Sequence, residues 1–246
     1  MKIKVYEKQW HNIPFNELDI ELSLTQKADL NFYDKFYNVF FKRYKSYNEL
    51  SKTWLEGKTE VAQLIEKNIQ EKSKVLSYGC GIGFIEKYIS NKRKDITLDC
   101  YDFSNVSSMW LKNMEKLNFT TNNENLKKYD IIYMVELLYS LDDKEIIFLL
   151  KELKELLKEK GKIIVSNTSL NPKENGLIQS NYILKLFTFF KNYLRPFYYF
   201  LLKNKKIQFW GYQRNKIAYE KLFKSAGYVK DINFSGSKKL FQIFKI

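Results

Sequence analysis

Lys74-Val75-Leu76-Ser77-Tyr78-Gly79-Cys80-Gly81-Ile82-Gly83-Phe84 reads as a short buried strand that runs straight into three alternating glycines. Without a Cβ, such a turn lets a ligand lie against backbone N–H groups at the start of the helix that follows, expected here from about Phe84 to Ser90. The nicotinamide fingerprint G-x-G-x-x-G would place its third glycine where this chain has Phe84, which argues against a dehydrogenase. Asp102 extends the pattern, ending a second strand, Ile96–Tyr101, 23 residues beyond Gly79. In doubly wound sheets an acid at that point accepts hydrogen bonds from ribose hydroxyls; the competing reading is a cap toward Asn105.

Outward from this stretch, strands alternate with helices. A helix is expected over Asn105–Lys116 and a buried strand over Asp130–Val135. A further helix has Ile146, Leu149, Leu150, Leu153, Leu156 and Leu157 at helical spacing, with Gly161 as its stop. Asp142 followed by Glu145 makes a capping box at its start, a better reading of Asp142 than a base or a metal ligand. Lys162–Ser166 is the next strand, and a helix at Asn215–Ser225 precedes a terminal hairpin, Val229–Phe234 and Leu240–Ile246 about a Ser235-Gly236-Ser237 turn. The alternation implies an α/β fold, a doubly wound and mostly parallel seven-stranded sheet with an antiparallel C-terminal hairpin. Residues 1–70, with the aromatic-rich stretch Asn31–Tyr47 and the one-faced apolar pattern of Glu49–Ile69, are expected as an N-terminal helical cap on a domain spanning 71–246.

The 246 residues suit one large domain with an elaboration, and 45% hydrophobic content supplies a real core. Two cysteines and one histidine, His11, are too few for a disulfide scaffold or the usual zinc sites, so no metal is expected. No apolar run reaches the length of a membrane span, and the start lacks a signal-peptide core; a cytoplasmic address is the expectation. The net charge is +14, part of which can be codon composition, since 38 of the 42 basic residues are lysine. Its distribution is more telling: residues 171–246 hold 15 of the 42 basic residues but only 3 of the 28 acidic ones. That asymmetry points to an anionic partner, against the blander alternative of a solvated lysine face.

Val75–Gly83 resembles the first motif of the class I S-adenosylmethionine (SAM)-dependent methyltransferases. Leu98-Asp99-Cys100-Tyr101-Asp102-Phe103-Ser104 resembles their acidic second motif. Tyr129–Tyr139 is similar to the fourth-strand motif, and Leu156–Val165 to the approach to strand five. The resemblance covers about residues 50–170 and implies SAM as cofactor, held by Ser77, Tyr78, Gly79, Cys80, Gly81, Gly83, Asp102, Phe103, Val135 and Glu136. Two departures stand out. Ser77 replaces the acid usual in the family, leaving the cofactor's ammonium to another partner, for which Glu86 is the candidate. The histidine that many relatives carry near Tyr139-Ser140 is missing, so no histidine base is expected there, and Tyr139 and Glu136 are the catalytic candidates.

Methyl transfer from a sulfonium needs an aligned acceptor and exclusion of water, with a base only where the acceptor must lose a proton. The acceptor is expected to meet Tyr139, Tyr212 and Arg214, under a basic, aromatic lid at about 172–212. Such a lid suits a small or saccharide-like anionic acceptor, with O-methylation the favoured activity. Phe209–Arg214 resembles a segment of some bacterial methyltransferases of surface-polysaccharide clusters, which implies polysaccharide biosynthesis as the setting. It also suits peripheral membrane contact through 182–206, with RNA as a third option behind the favoured acceptor. DNA is not expected, because Val135-Glu136-Leu137-Leu138 stands where DNA methyltransferases carry their motifs. A catalytically silent scaffold of the same fold is the alternative from another class.

Overall fold

The structure is a computed structural model that describes residues 1–171, apart from 113, 115 and 116, together with 206–234 and 239–246. In chain order, β1 (Lys2–Glu7), β2 (Gln9–Trp10) and β3 (Ile13–Pro14) lead into α1 (Leu30–Arg43) and α2 (Lys52–Lys67). Then come β4 (Lys74–Tyr78), α3 (Phe84–Lys92), β5 (Thr97–Tyr101), β6 (Asn118–Thr120), β7 (Tyr129–Val135), α4 (Asp143–Glu155) and β8 (Leu157–Asn167). The remaining described elements are β9 (Gln208–Arg214), α5 (Lys216–Ser225), β10 (Val229–Phe234) and β11 (Leu240–Lys245).

Seven strands form one sheet in the order β10-β11-β8-β7-β4-β5-β6, parallel except for β11, which pairs antiparallel with both neighbours. This is the doubly wound sheet and C-terminal hairpin expected from the alternation. From central β4 the chain winds out to β6, then returns to β7 on the other side. The connections leaving β4 and β7 therefore diverge, and a crevice opens at their carboxyl ends. Leu76, Ile132, Ile163 and Val165 are buried beneath α4, whose Ile146, Leu149, Leu150 and Leu153 face them. The α4 capping box forms: Asp142 Oδ1 accepts from the amides of Lys144 and Glu145 at 2.9 Å, and Glu145 Oε2 accepts from the Asp142 amide at 2.7 Å.

Three expectations need correction. Residues 1–29 hold no α-helix, only a 3-10 turn at Phe15–Glu17: β1 pairs antiparallel with β9, about two hundred residues away, and β2 with β3. A strand that finds its partner at such distance leaves no local signal beyond a weak alternation. The expected helix at Asn105–Lys116 is a run of turns over its described part. Serines take over the backbone there, Ser107 Oγ donating to Ser104 O (2.8 Å) and Ser108 Oγ to Asn105 O (3.1 Å), the competition that disfavours serine inside helices. Strand β6, too short to show a pattern, was not anticipated. Most of the expected lid (172–205), with the 182–206 stretch but for Lys206, and the Ser235-Gly236-Ser237 turn lie outside the described residues.

Helix α1 is the aromatic preface the spacing predicts. Phe32, Phe36 and Phe40 are buried with Phe15, and the cluster extends to Ile82 of the glycine loop and Trp210 of β9. The N-terminal aromatics thus form a wall against the carboxyl ends of the central strands. No helix among the described residues is long and apolar enough to cross a membrane.

Candidate functional site

The crevice is a cavity of about 1280 Å3, floored by the loop between β4 and α3. Its glycines, Gly79, Gly81 and Gly83, all take positive φ. The loop is tied down from within: the amides of Gly79 and Cys80 donate to Tyr101 O (2.7 and 3.0 Å), Gly83 to Cys80 O (3.1 Å), and Gly81 to Asp102 Oδ2 (2.8 Å). This corrects the expectation that these amides face a ligand. What the loop offers is bare backbone surface. A Cβ on Gly81, at φ +54°, would enter the cavity and meet only the Tyr37 hydroxyl, at 3.5 Å.

Asp102 is buried, and its Oδ1 accepts from the Ser104 amide at 3.0 Å. Burial pushes its carboxyl pKa up, while the Ser104 and Gly81 amides pull it back. Each carboxylate oxygen has room for two hydrogen bonds and takes one from these amides, which leaves it lone-pair capacity for a ligand. Beside it Phe103 is 44% exposed and lines the cavity, its ring edge-on to Tyr33 at 5.3 Å. Tyr78, stacked on Tyr101 at 4.5 Å, Cys80 and Val135 line the cavity as well.

Ser77 and Glu86 act together. Glu86, in the first turn of α3, is buried, and its Oε1 accepts from Ser77 Oγ (2.6 Å) and Tyr133 OH (2.8 Å). Its Oε2 is buried with no partner among the described residues. Burial raises the Glu86 pKa, and the two hydroxyls oppose that shift. At the end of β7, Glu136 holds a left-handed φ of 53°, a conformation costly for a residue with a side chain and frequent at functional sites. Its Oε1 accepts from Thr168 Oγ1 at 3.0 Å and pairs with Lys239 at 2.9 Å.

Tyr139 stands on the aromatic wall, its ring stacked 5.8 Å from Trp210 and its hydroxyl 3.5 Å from that of Tyr33. Burial pushes both phenols up, Tyr33 to about 12 and Tyr139 well above its usual value, so both remain protonated donors. Tyr212 lines the cavity, with the Lys2 ammonium 4.9 Å from its ring centre. Arg214 does not belong to this group, and its expected contact with an acceptor is withdrawn. Its side chain is fully buried, donating to Asp143 Oδ1 (2.7 and 3.0 Å), Leu138 O (3.1 Å) and Leu141 O (2.8 Å). It clamps the connection between β7 and α4, and its donors are spent there.

Sequence reasoning missed several lining residues. Trp10, Tyr33 and Tyr37 carried a core signal, and Lys58 carried none. His11, the chain's single histidine, also lines the cavity, packed 5.1 Å from the rings of Trp10 and Trp54. Burial, with help from the Lys58 charge, lowers its pKa from 6.5 to about 4, so it is neutral at neutral pH.

A family profile described as a methyltransferase domain matches residues 49–230. No curated protein matches the chain in sequence. Among solved structures, a Nostoc punctiforme protein provisionally named an O-methyltransferase superposes with a TM-score of 0.61 at 15% identity, over 87% of this chain and 60% of its own. Human N-acetylserotonin methyltransferase, solved with SAM, gives 0.58 at 14% identity, over 88% and 56%. A SAM-dependent methyltransferase from Methanosarcina mazei gives 0.54 at 18%, over 74% and 94%. The chain thus spans three fifths or less of the length of the first two.

Proposed function

The chain belongs to the methyltransferase domain family, and from that premise we propose that it transfers the methyl group of SAM to a hydroxyl of a small, ring-bearing acceptor. The observation that carries the cofactor reading is the joint between Gly81 and Asp102. One carboxylate holds the glycine loop and keeps lone pairs for two ribose hydroxyls, while the missing Cβ of Gly81 leaves a cradle that any other side chain would fill. Phe103 offers an exposed ring edge beside them, suited to packing against the adenine. Bound there, SAM supplies an electrophilic sulfonium methyl whose leaving group departs as a neutral thioether.

The protein's part is placement. A cavity of about 1280 Å3 exceeds the roughly 300–1,000 Å3 of a single-ligand pocket and has room for acceptor and cofactor together. Trp10, Trp210, Tyr139 and Tyr212 supply flat apolar faces for the acceptor, whether an aromatic ring or the apolar face of a sugar. Tyr33 and Tyr139, protonated throughout the neutral range, donate hydrogen bonds that aim the acceptor oxygen. Tyr139 is thus a positioning donor, and we assign proton acceptance to Glu136, its neighbour at the end of β7. An anionic substituent on the acceptor remains part of this reading, on the charge asymmetry of residues 171–246 alone; RNA is its alternative acceptor.

Calorimetric titration with SAM and S-adenosylhomocysteine is the test. Micromolar binding is expected, lost in Asp102→Ala and in Gly81→Val while both variants keep a cooperative melt. A folded wild-type protein that binds neither compound would overturn the reading and leave a silent scaffold. With binding in hand, phenols and sugar nucleotides are the first acceptors to assay, before RNA.

A further inference from the structure

The β2–β3 hairpin turns on two residues, His11 and Asn12, both left-handed at φ 47° and 56°. A two-residue turn of this kind is most often Asn-Gly, so the bend itself does not call for a histidine. It carries His11 into the cavity wall, where its ring lies 5.1 Å from the rings of Trp10 and Trp54. His11 O accepts from Tyr44 OH at 2.8 Å, but no described residue hydrogen-bonds the imidazole nitrogens. Lys58, on α2, reaches the same Trp54 ring, its ammonium 5.7 Å from the ring centre, and no described residue gives it a hydrogen bond or an ion pair. The two carboxylates whose charge it senses are engaged elsewhere, Glu136 with Lys239 and Thr168, and Glu86 through Oε1 with Ser77 and Tyr133. Burial pushes the Lys58 ammonium pKa down, and burial together with the Lys58 charge does the same to His11. The wall thus holds a cation with no contacting counter-ion among the described residues, beside a neutral ring that can donate an N–H.

We propose that Lys58 and His11 bind a carboxylate on the methyl acceptor, which makes that acceptor an aromatic hydroxy acid. This deepens the methyl-transfer reading above and rests on it. A cation without a partner in an apolar wall is costly, and an entering anion removes that cost. One cation and one N–H donor match a single negative charge. A phosphate group, nearly doubly charged at neutral pH, would keep excess charge facing Glu136. Aromatic rings join this end of the cavity to the other: Trp10 packs on both His11 and Trp210 (5.4 Å), and Trp210 stacks on Tyr139 (5.8 Å). A flat acceptor lying along that wall directs its acid toward Lys58 and its hydroxyl toward the Tyr33–Tyr139 pair.

The probes are hydroxybenzoates and hydroxycinnamates, two lengths of the same chemistry, each beside its neutral amide, with 4-hydroxyphenyl phosphate as the dianion. Calorimetry on the whole chain, saturated with S-adenosylhomocysteine, should show at least one acid binding about tenfold more tightly than its amide or the phosphate, the scale of one charge-assisted contact. Lys58→Met should bring that acid to the level of its amide, His11→Phe should weaken it by a smaller factor, and Lys58→Arg should keep the preference. S-adenosylhomocysteine affinity should stay unchanged in all three, and melting curves on each variant separate unfolding from lost recognition. Amides that bind as tightly as acids, a phosphate that binds more tightly, or a panel in which no acid binds would overturn the carboxylate subsite and leave the cofactor reading standing. Loss of S-adenosylhomocysteine affinity in Lys58→Met would put Lys58 on the cofactor and overturn the subsite too. A folded wild-type protein that binds no S-adenosylhomocysteine brings down the methyl-transfer reading itself, and the subsite with it.

Discussion

Gly211 of β9 lies against the main-chain carbonyl of Tyr139: a Cβ built at Gly211 would fall 2.2 Å from that oxygen. The contact is backbone to backbone, and φ at Gly211 is +141°. It brings Trp210 into its stack on Tyr139 and joins the β1–β9 ribbon to the end of β7.

Gly211→Ala must therefore move Tyr139 or break the ribbon. Overpacking of this kind costs about 1–3 kcal/mol, and the unfavourable φ adds to it. A lower urea midpoint is expected, and acceptor turnover should fall more than cofactor affinity, because the glycine loop is not touched. Unchanged stability would show that the carbonyl yields freely.

Arg214 tests the distinction between clamp and contact. Arg214→Met removes a buried cation and takes its donors away from the carbonyls of Leu138 and Leu141, at a cost of about 2–4 kcal/mol. Asp143, half exposed and still paired with Lys2 at 2.9 Å, softens the loss. Denaturation should register the change, and S-adenosylhomocysteine affinity measured well below the melting temperature should not.

His11 sets an acid limb. Its pKa falls from 6.5 to about 4 on folding, so between those values the unfolded chain binds a proton that the native one does not. Stability from this group is fully present above pH 6.5 and is lost as pH falls toward 4. The loss is on the order of 2 kcal/mol once partial exposure is allowed for. His11→Phe should flatten the melting temperature across that window; an unaltered slope would assign the acid limb to carboxylates.

Asp142 belongs to helix capping alone. Asp142→Ala should lower stability by about 1 kcal/mol, as expected for a lost cap, and leave cofactor binding unaltered. Altered binding would mean that Asp142 reaches the site.

What could be read from the chain follows the range of the interaction that sets it. The α4 capping box, the leucine face above β7 and β8, the glycine turn after Tyr78 and the acid closing β5 are each written within a few residues. Side-chain period, cap chemistry and backbone sterics act over one or two turns of chain. The run at 105–116 shows where this reasoning misleads. The alternation of strands and helices led to a helix being expected there, but Ser104, Ser107 and Ser108 offer the backbone nearby hydroxyls, and the turns win.

By itself, then, the sequence determined the doubly wound sheet, the place of the glycine loop and the acid that faces it. Tertiary structure decided which side chains share the cavity. Lys2–Glu7 became a strand because β9 lay open to pair with it. His11 and Lys58 reached the cavity wall because α1 and α2 pack there, and Arg214 left it because two carbonyls and Asp143 used its donors first. Each of these outcomes depends on desolvation and on partners far away in the chain, and a residue's neighbours in sequence carry no record of either.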